Sequence, residues 1–163
     1  MGADDMEELK VMENNDVAMT QQYIVVRLGE EQYGVDIRYI DNIVRMQKIT
    51  RVPKVAPYLK GVINLRGEVI PIMSLRLKMF LPQDEITKAT RIIILKLEQY
   101  GSIGVIVDEV KEVVTLDEEH IEKVAYDSKE ERLNFLGGIG KYDGGLISLL
   151  DFNLVMQERD NVL

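Results

Sequence analysis

At 163 residues, with 46% apolar side chains but only 6% aromatic and no Trp, the chain is one ordinary domain or two very small units that share a mainly aliphatic core. A formal charge of −8 and an isoelectric point near 4.8 disfavour nucleic acid and anionic headgroups, and no dense basic run offsets that balance. The absence of cysteine excludes disulfides, thiolate metal sites and cysteine nucleophiles.

Residues Met1 to about Thr20 are acidic and polar. Asp4, Asp5, Glu7 and Glu8 stand where a signal peptide would be basic and then apolar. Met6, Leu9 and Val11 offer only a weak helical stripe, so residues 1–20 read as a mobile tail. No apolar run approaches the roughly 20 residues that cross a bilayer. The expectation is a soluble, cytoplasmic protein without direct membrane insertion.

From Gln22 the pattern turns to period two. Tyr23, Val25 and Arg27 alternate with Ile24, Val26 and Leu28, Gly29-Glu30-Glu31 turns, and Gln32 to Asp36 returns. Ile37, Ile40, Ile43 and Val44 recur at three- and four-residue spacing, which predicts a short helix over one barrel end. Ile49 to Val52 resumes strand character before Pro53 and Pro57. Leu59 to Phe80 is a hairpin: Val62 to Leu65 and Val69 to Met73 flank Arg66-Gly67-Glu68, with Leu75, Leu77 and Phe80 in a helical or irregular piece.

Pro82 to Ala89 is a polar connection. Arg91 to Leu97 and Ile103 to Val107 form the next strand pair around Gln99-Tyr100-Gly101, and Val110, Val113 and Val114 follow at helical or bulged spacing. Ile121 to Val124 comes after a capped turn, and Ala125 to Asn134 is a charged loop. Leu136 to Tyr142 and Leu146 to Leu150 form a hairpin around Asp143-Gly144. Asp151 then caps an amphipathic helix carrying Phe152, Leu154, Val155 and Met156.

The chain aligns with itself. Leu59, Gly61, Gly67 and Val69 match Leu136, Gly138, Gly144 and Leu146, while Gly34, Ile40 and Ile43-Val44 match Gly104, Val110 and Val113-Val114. About five short strands per half fit two small antiparallel barrels, with an apolar seam between them and the C-terminal helix helping to cover it.

Chemistry is sparse. Gly137 to Lys141 resembles a phosphate loop, but the spacing places Phe135 and Tyr142 where Gly and Ser/Thr are needed. His120, the only histidine, sits in an acidic run that supplies no convergent metal ligands. Asp108-Glu109 follow a strand end and leave open a ligand-binding or hydrolytic small barrel. No other residues suggest catalysis, and what remains is a protein-binding β module whose Arg66, at a hairpin tip, suits an interface.

Tyr33-Gly34-Val35-Asp36-Ile37, Ile49-Thr50-Arg51-Val52-Pro53 and Lys60-Gly61-Val62-Ile63-Asn64-Leu65-Arg66-Gly67, with Pro71-Ile72, Leu75-Arg76 and Gly104 to Asp108 with Val110 and Val113, resemble the CheW-like family of bacterial chemotaxis coupling proteins. The resemblance covers roughly Gln21 to Met156. It implies an all-β fold with a few short helices: two five-stranded SH3-like antiparallel barrels, the first over about 21–82 and the second over about 89–150, with strand exchange allowed, and a C-terminal helix and tail over 151–163.

The resemblance also implies a non-catalytic, cofactor-free adaptor, monomeric when free. It would couple the cytoplasmic tips of methyl-accepting chemoreceptors to the regulatory domain of the histidine kinase CheA, recruited to the inner face of the membrane. Receptor contact would involve Asn64, Arg66 and Gly67, with Asn42 and Val113. Kinase contact would use the apolar Ile37, Ile40 and Ile43. The family often carries Glu where this chain has Asn42, so a charge-assisted pair with Arg66 is not carried over. No kinase or receiver segment fits in this length, which favours a free-standing coupling protein.

Overall fold

The computed structural model describes residues 20–124, 134–143 and 145–157. The expected N-terminal tail, most of the charged loop after Ala125 and the chain beyond 157 lie outside the described residues. Eleven strands form: β1 (Thr20–Leu28), β2 (Glu31–Asp36), β3 (Ile40–Arg45), β4 (Leu59–Leu65), β5 (Glu68–Ser74), β6 (Arg91–Leu97), β7 (Gly101–Val107), β8 (Glu109–Asp117), β9 (Ile121–Glu122), β10 (Leu136–Tyr142) and β11 (Gly145–Leu150). Two single-turn helices, α1 (Leu75–Lys78) and α2 (Phe152–Val155), complete the described elements with two 3-10 turns at Ile37–Tyr39 and Glu118–His120.

The strands make a six-stranded sheet in the order β8-β1-β2-β11-β10-β9 and a five-stranded sheet in the order β3-β6-β7-β5-β4. The sheets do not follow the two halves of the chain. The β1–β2 hairpin lies between β8 and β11, while the β6–β7 hairpin of the second half lies between β3 and β5. In each sheet the outer edges are consecutive in sequence, which rolls the sheet into a barrel. β9, just after β8, pairs with β10; Thr50, shortly after β3, bridges Val62 of β4 through two 2.8 Å backbone hydrogen bonds.

The register repeats as the self-alignment requires. Gly34 pairs with Leu149 across the parallel β2–β11 contact, and Gly104 pairs with Ile72 across the parallel β7–β5 contact. Each glycine leaves room for its partner: an added Cβ would lie 2.7 Å from Leu149 Cδ2 and 2.6 Å from Ile72 Cδ1 respectively. Ser74 and Asp151, also equivalent, cap α1 and α2 by accepting backbone N–H bonds from Leu77 and Asn153.

Two predicted elements are corrected. The stretch from Ile40 is the strand β3, preceded only by a 3-10 turn, and is not a helix. Its three-residue apolar spacing comes from a bulge: Ile40 opposes Leu95 and Asn42 opposes Ile94, which leaves Asp41 extra. An unbulged strand would send Ile40 and Ile43 to opposite faces, whereas the extra residue returns both to the inter-barrel side. The same bulge occurs in β8, where Val26 opposes Val110, Val25 opposes Glu112 and Lys111 is extra. The expected strand over Ile49–Val52 is reduced to the single Thr50 bridge.

Burial explains why the central strands are continuously apolar. Tyr23 and Val25 enter one barrel with Val114, Leu116, Ile147 and Leu149, while Ile24, Val26 and Leu28 face away from it. Ile92 and Ile94 fill the other barrel with Ile63, Ile70, Ile72 and Ile106, while Ile93, Leu95 and Leu97 face away. The outward sets meet as one seam, the largest apolar cluster, which is joined by Tyr33, Met73, Leu75, Phe152 and Val155. With both faces buried, a strand loses its polar alternation.

Candidate functional site

The β4–β5 hairpin closes through a two-residue turn between Leu65 and Glu68. Arg66 (φ 54°) and Gly67 (φ 83°) both take left-handed backbone, the requirement of a type I′ turn whose twist matches that of the strands. Arginine in this conformation costs on the order of 1 kcal/mol that Gly or Asn would avoid. Asn64 offsets part of that cost by accepting the Gly67 N–H on its side-chain oxygen at 3.1 Å. The turn holds the Arg66 side chain in solvent without a hydrogen bond or ion pair to any described residue.

The other expected contact residues stand on other elements. Asn42 is half-buried on β3, accepts the Ile43 N–H at 2.9 Å and makes no hydrogen bond to Arg66. Val113 is on β8, in the other sheet, with 51% of its surface exposed. Ile37 is exposed on the 3-10 turn, whereas Ile40 and Ile43 are half-buried against the seam. The structure therefore joins Asn64, Arg66 and Gly67 in one turn and places Ile40 and Ile43 on one core. It makes neither a helical apolar stripe of Ile37, Ile40 and Ile43 nor a bonded pair of Asn42 with Arg66.

Asp108 and Glu109 do not form an open acidic pair, and the hydrolytic reading built on them is corrected. Asp108 is buried at the crossover from β7 to β8. Its Oδ1 accepts Arg76 Nε at 2.9 Å, and its Oδ2 accepts the Gly29 N–H at 2.8 Å and a second bond from Arg76. Arg27 adds a contact at 3.5 Å and lies 3.8 Å from Glu109. Burial pushes the Asp108 carboxyl up, but the bonds from Arg76 and Gly29 outweigh it and hold the group below its ordinary value. The side chain ties the β1–β2 turn, α1 and the crossover together, with both of its oxygens engaged. The tie escaped sequence reading because its partners are 79 and 32 residues away.

His120 is exposed and bonded to Asp117, which raises the imidazole and lowers the carboxyl from their usual values. Among the described residues no cluster of three or more His, Cys, Asp or Glu could hold a metal ion. None of their helices is long and apolar enough to cross a membrane. What the described surface offers is rigid tips and exposed apolar residues, with Val69 62% and its repeat equivalent Leu146 61% exposed.

A family model described as the CheW-like domain matches residues 22–160, which span both barrels and the seam. The chain belongs to the CheW-like domain family. Its relatives include the chemotaxis protein CheW of Bacillus subtilis, 36% identical over 141 residues, covering 86% of this chain and 90% of that one. The chemotaxis protein CheW of Klebsiella aerogenes is 29% identical over 143 residues, covering 88% and 86%. The crystal structure of the scaffolding protein TtCheW from Thermoanaerobacter tengcongensis superposes with a TM-score of 0.77 at 31% identity, covering 86% of this chain and 90% of that one. The CheW-like domain of this chain is thus two small barrels on a common seam, with the Arg66 turn exposed on one of them.

Proposed function

We propose that this chain is a non-catalytic adaptor of bacterial chemotaxis, coupling the cytoplasmic tips of chemoreceptors to the regulatory domain of the histidine kinase CheA. The observation that carries the reading is family membership across residues 22–160, among relatives named as chemotaxis proteins and beside a solved structure named as a scaffolding protein. The engaged Asp108 supports a non-catalytic role by removing the one acidic pair that suggested chemistry. The protein acts in the cytoplasm, monomeric when free, and reaches the inner face of the membrane through its receptors.

Receptor contact is assigned to the Asn64-Arg66-Gly67 turn, supported by a guanidinium that bonds no described residue and is held in a costly conformation at an exposed tip. Asn42 and Val113 are flanking contacts in this reading. Kinase contact is assigned to Ile37 with the exposed parts of Ile40 and Ile43. Holding two partners on one rigid body raises their effective concentration and carries small displacements between them.

Arg66→Glu is expected to reduce retention by a receptor-tip fragment at least about tenfold, the scale of one lost charge-assisted contact. Circular dichroism and binding to the kinase regulatory domain should remain unchanged. Full receptor retention by this variant would remove the turn from the contact.

A further inference from the structure

Along β3 and β6 the charges are set in two different ways. Near the start of β3, Asp41 lies 3.7 Å from Lys96 of β6, an ordinary cross-strand ion pair. At the other end the register sets Arg45 directly opposite Arg91. Residues so apposed carry Cβ atoms about 4.5–5.5 Å apart on one face of the sheet, and like charges there are destabilising. The two cations meet in a chain that has 28 acidic residues against 20 basic ones. Neither forms an ion pair with a described residue. Arg45 is exposed, and its side chain makes no hydrogen bond among the described residues. Arg91 is half-buried, and its Nη1 donates to the carbonyl oxygens of Lys88 and Thr90, both at 2.8 Å. Those bonds hold the guanidinium in place without neutralising it.

The pair belongs to a larger surface. Two residues back along both strands Ile43 opposes Ile93, which lies in the seam with Ile43 packed against it. Strand alternation puts Arg45 and Arg91 on that same face, in a row that continues to Val107 of β7. In the sheet order β3 is the end strand. From Ile40 through Ile43 to Arg45, one face of β3 therefore runs from half-buried aliphatic surface to two uncompensated cations. A small anion would meet the cations alone. A protein segment that carries acids beside apolar side chains meets both.

We infer that Arg45 and Arg91 are a docking site for a pair of carboxylates on a protein partner, whose apolar residues sit on Ile40 and Ile43. The planar fork of arginine bonds a carboxylate through two parallel N–H groups. Arg91, already fixed by two carbonyls, loses little freedom when it does so. The free chain carries the repulsion and the bound partner relieves it. The inference deepens the adaptor reading, in which the kinase regulatory domain meets Ile37, Ile40 and Ile43, and rests on that reading for the partner alone.

Two measurements test it. Arg45→Glu places an acid opposite Arg91, and should raise the thermal midpoint of the free chain by about 1–4 °C. The same variant should lower retention of the kinase regulatory domain at least about tenfold. A gain in stability joined to a loss of binding separates a lost contact from a damaged fold. The second measurement titrates the chain at low salt with a short peptide of two adjacent glutamates flanked by leucines, followed by amide-resolved NMR. Shift changes at Arg45 and Arg91 are expected, and they should be absent with the glutamine counterpart of the peptide and in Arg45→Gln. No response at either arginine overturns the site. An equal response to inorganic phosphate at the same ionic strength makes it a small-anion site and overturns the protein partner. If the native chain fails to retain the kinase domain while the peptide binds, the adaptor reading falls and the carboxylate site stands. If Arg45→Glu retains the kinase domain as the native chain does, the adaptor reading stands and the docking role is overturned.

Discussion

At the scale of single residues, Asp108 shows how context decides what a carboxylate does. Its position after a strand end suited chemistry, yet it is 5% exposed and bonded from two separate segments, Gly29 and Arg76. Removing it strands the partly buried Arg76 guanidinium, so Asp108→Ala is expected to cost about 3 kcal/mol by chemical denaturation. The pH dependence has a definite sign. The carboxyl is held below its ordinary value near 3.8 in the folded chain. The stability it contributes is therefore full above that value and is lost as pH falls through the depressed folded one. Between pH 6 and 3, the gap in stability between the native chain and Asp108→Asn should narrow only at the acid end. A constant gap would show that the charge of Asp108 is irrelevant to the tie.

At the scale of elements, the closure of each barrel rests on a backbone crossing at equivalent glycines. A Cβ on Gly61 would lie 2.1 Å from the Thr50 carbonyl oxygen, and its φ of 139° is strained for any other residue; a Cβ on Gly138 would lie 2.9 Å from the Glu122 oxygen. At Gly104 the obstacles are side-chain atoms, Ile72 Cδ1 at 2.6 Å and Ile92 Cγ2 at 2.9 Å, which can shift by repacking, whereas the backbone at Thr50 cannot. Gly61→Ala is accordingly expected to destabilise by about 3 kcal/mol or more, and Gly104→Ala by about 1–2 kcal/mol, in urea titrations. Equal losses would mean that the Thr50 crossing does not close the barrel. These elements also mark what the sequence could disclose. Period-two strands, glycine turns and the self-alignment were legible because each is set by neighbours along the chain. The three-residue spacing of Ile37, Ile40 and Ile43 suggested a helix because a bulged strand and a helix return a side chain to one face at the same interval. The turn of Asn64, Arg66 and Gly67 was visible in the residues that form it. The tie of Asp108 to Gly29 and Arg76 was not, because its partners come from separate segments.

At the scale of the whole molecule, the two hairpins have traded places. β1 and β2 complete the barrel built from β8 to β11, and β6 and β7 complete the one built from β3 to β5. The seam between them is the largest apolar cluster and draws on both sheets and both short helices. Fragments 1–84 and 85–163, expressed separately, are each expected to lack stable β structure and to regain the native circular dichroism when mixed. A folded isolated fragment would show that one half closes on its own hairpin. The exchange also sets a timetable for synthesis. The first hairpin leaves the ribosome long before β8 and β11, the strands that flank it, have been translated. A tandem pair of barrels could complete its first member halfway through translation, whereas this chain carries unpaired apolar edges until its last strand emerges. Its exposure to chaperones and proteases is therefore set by the time taken to translate the whole chain.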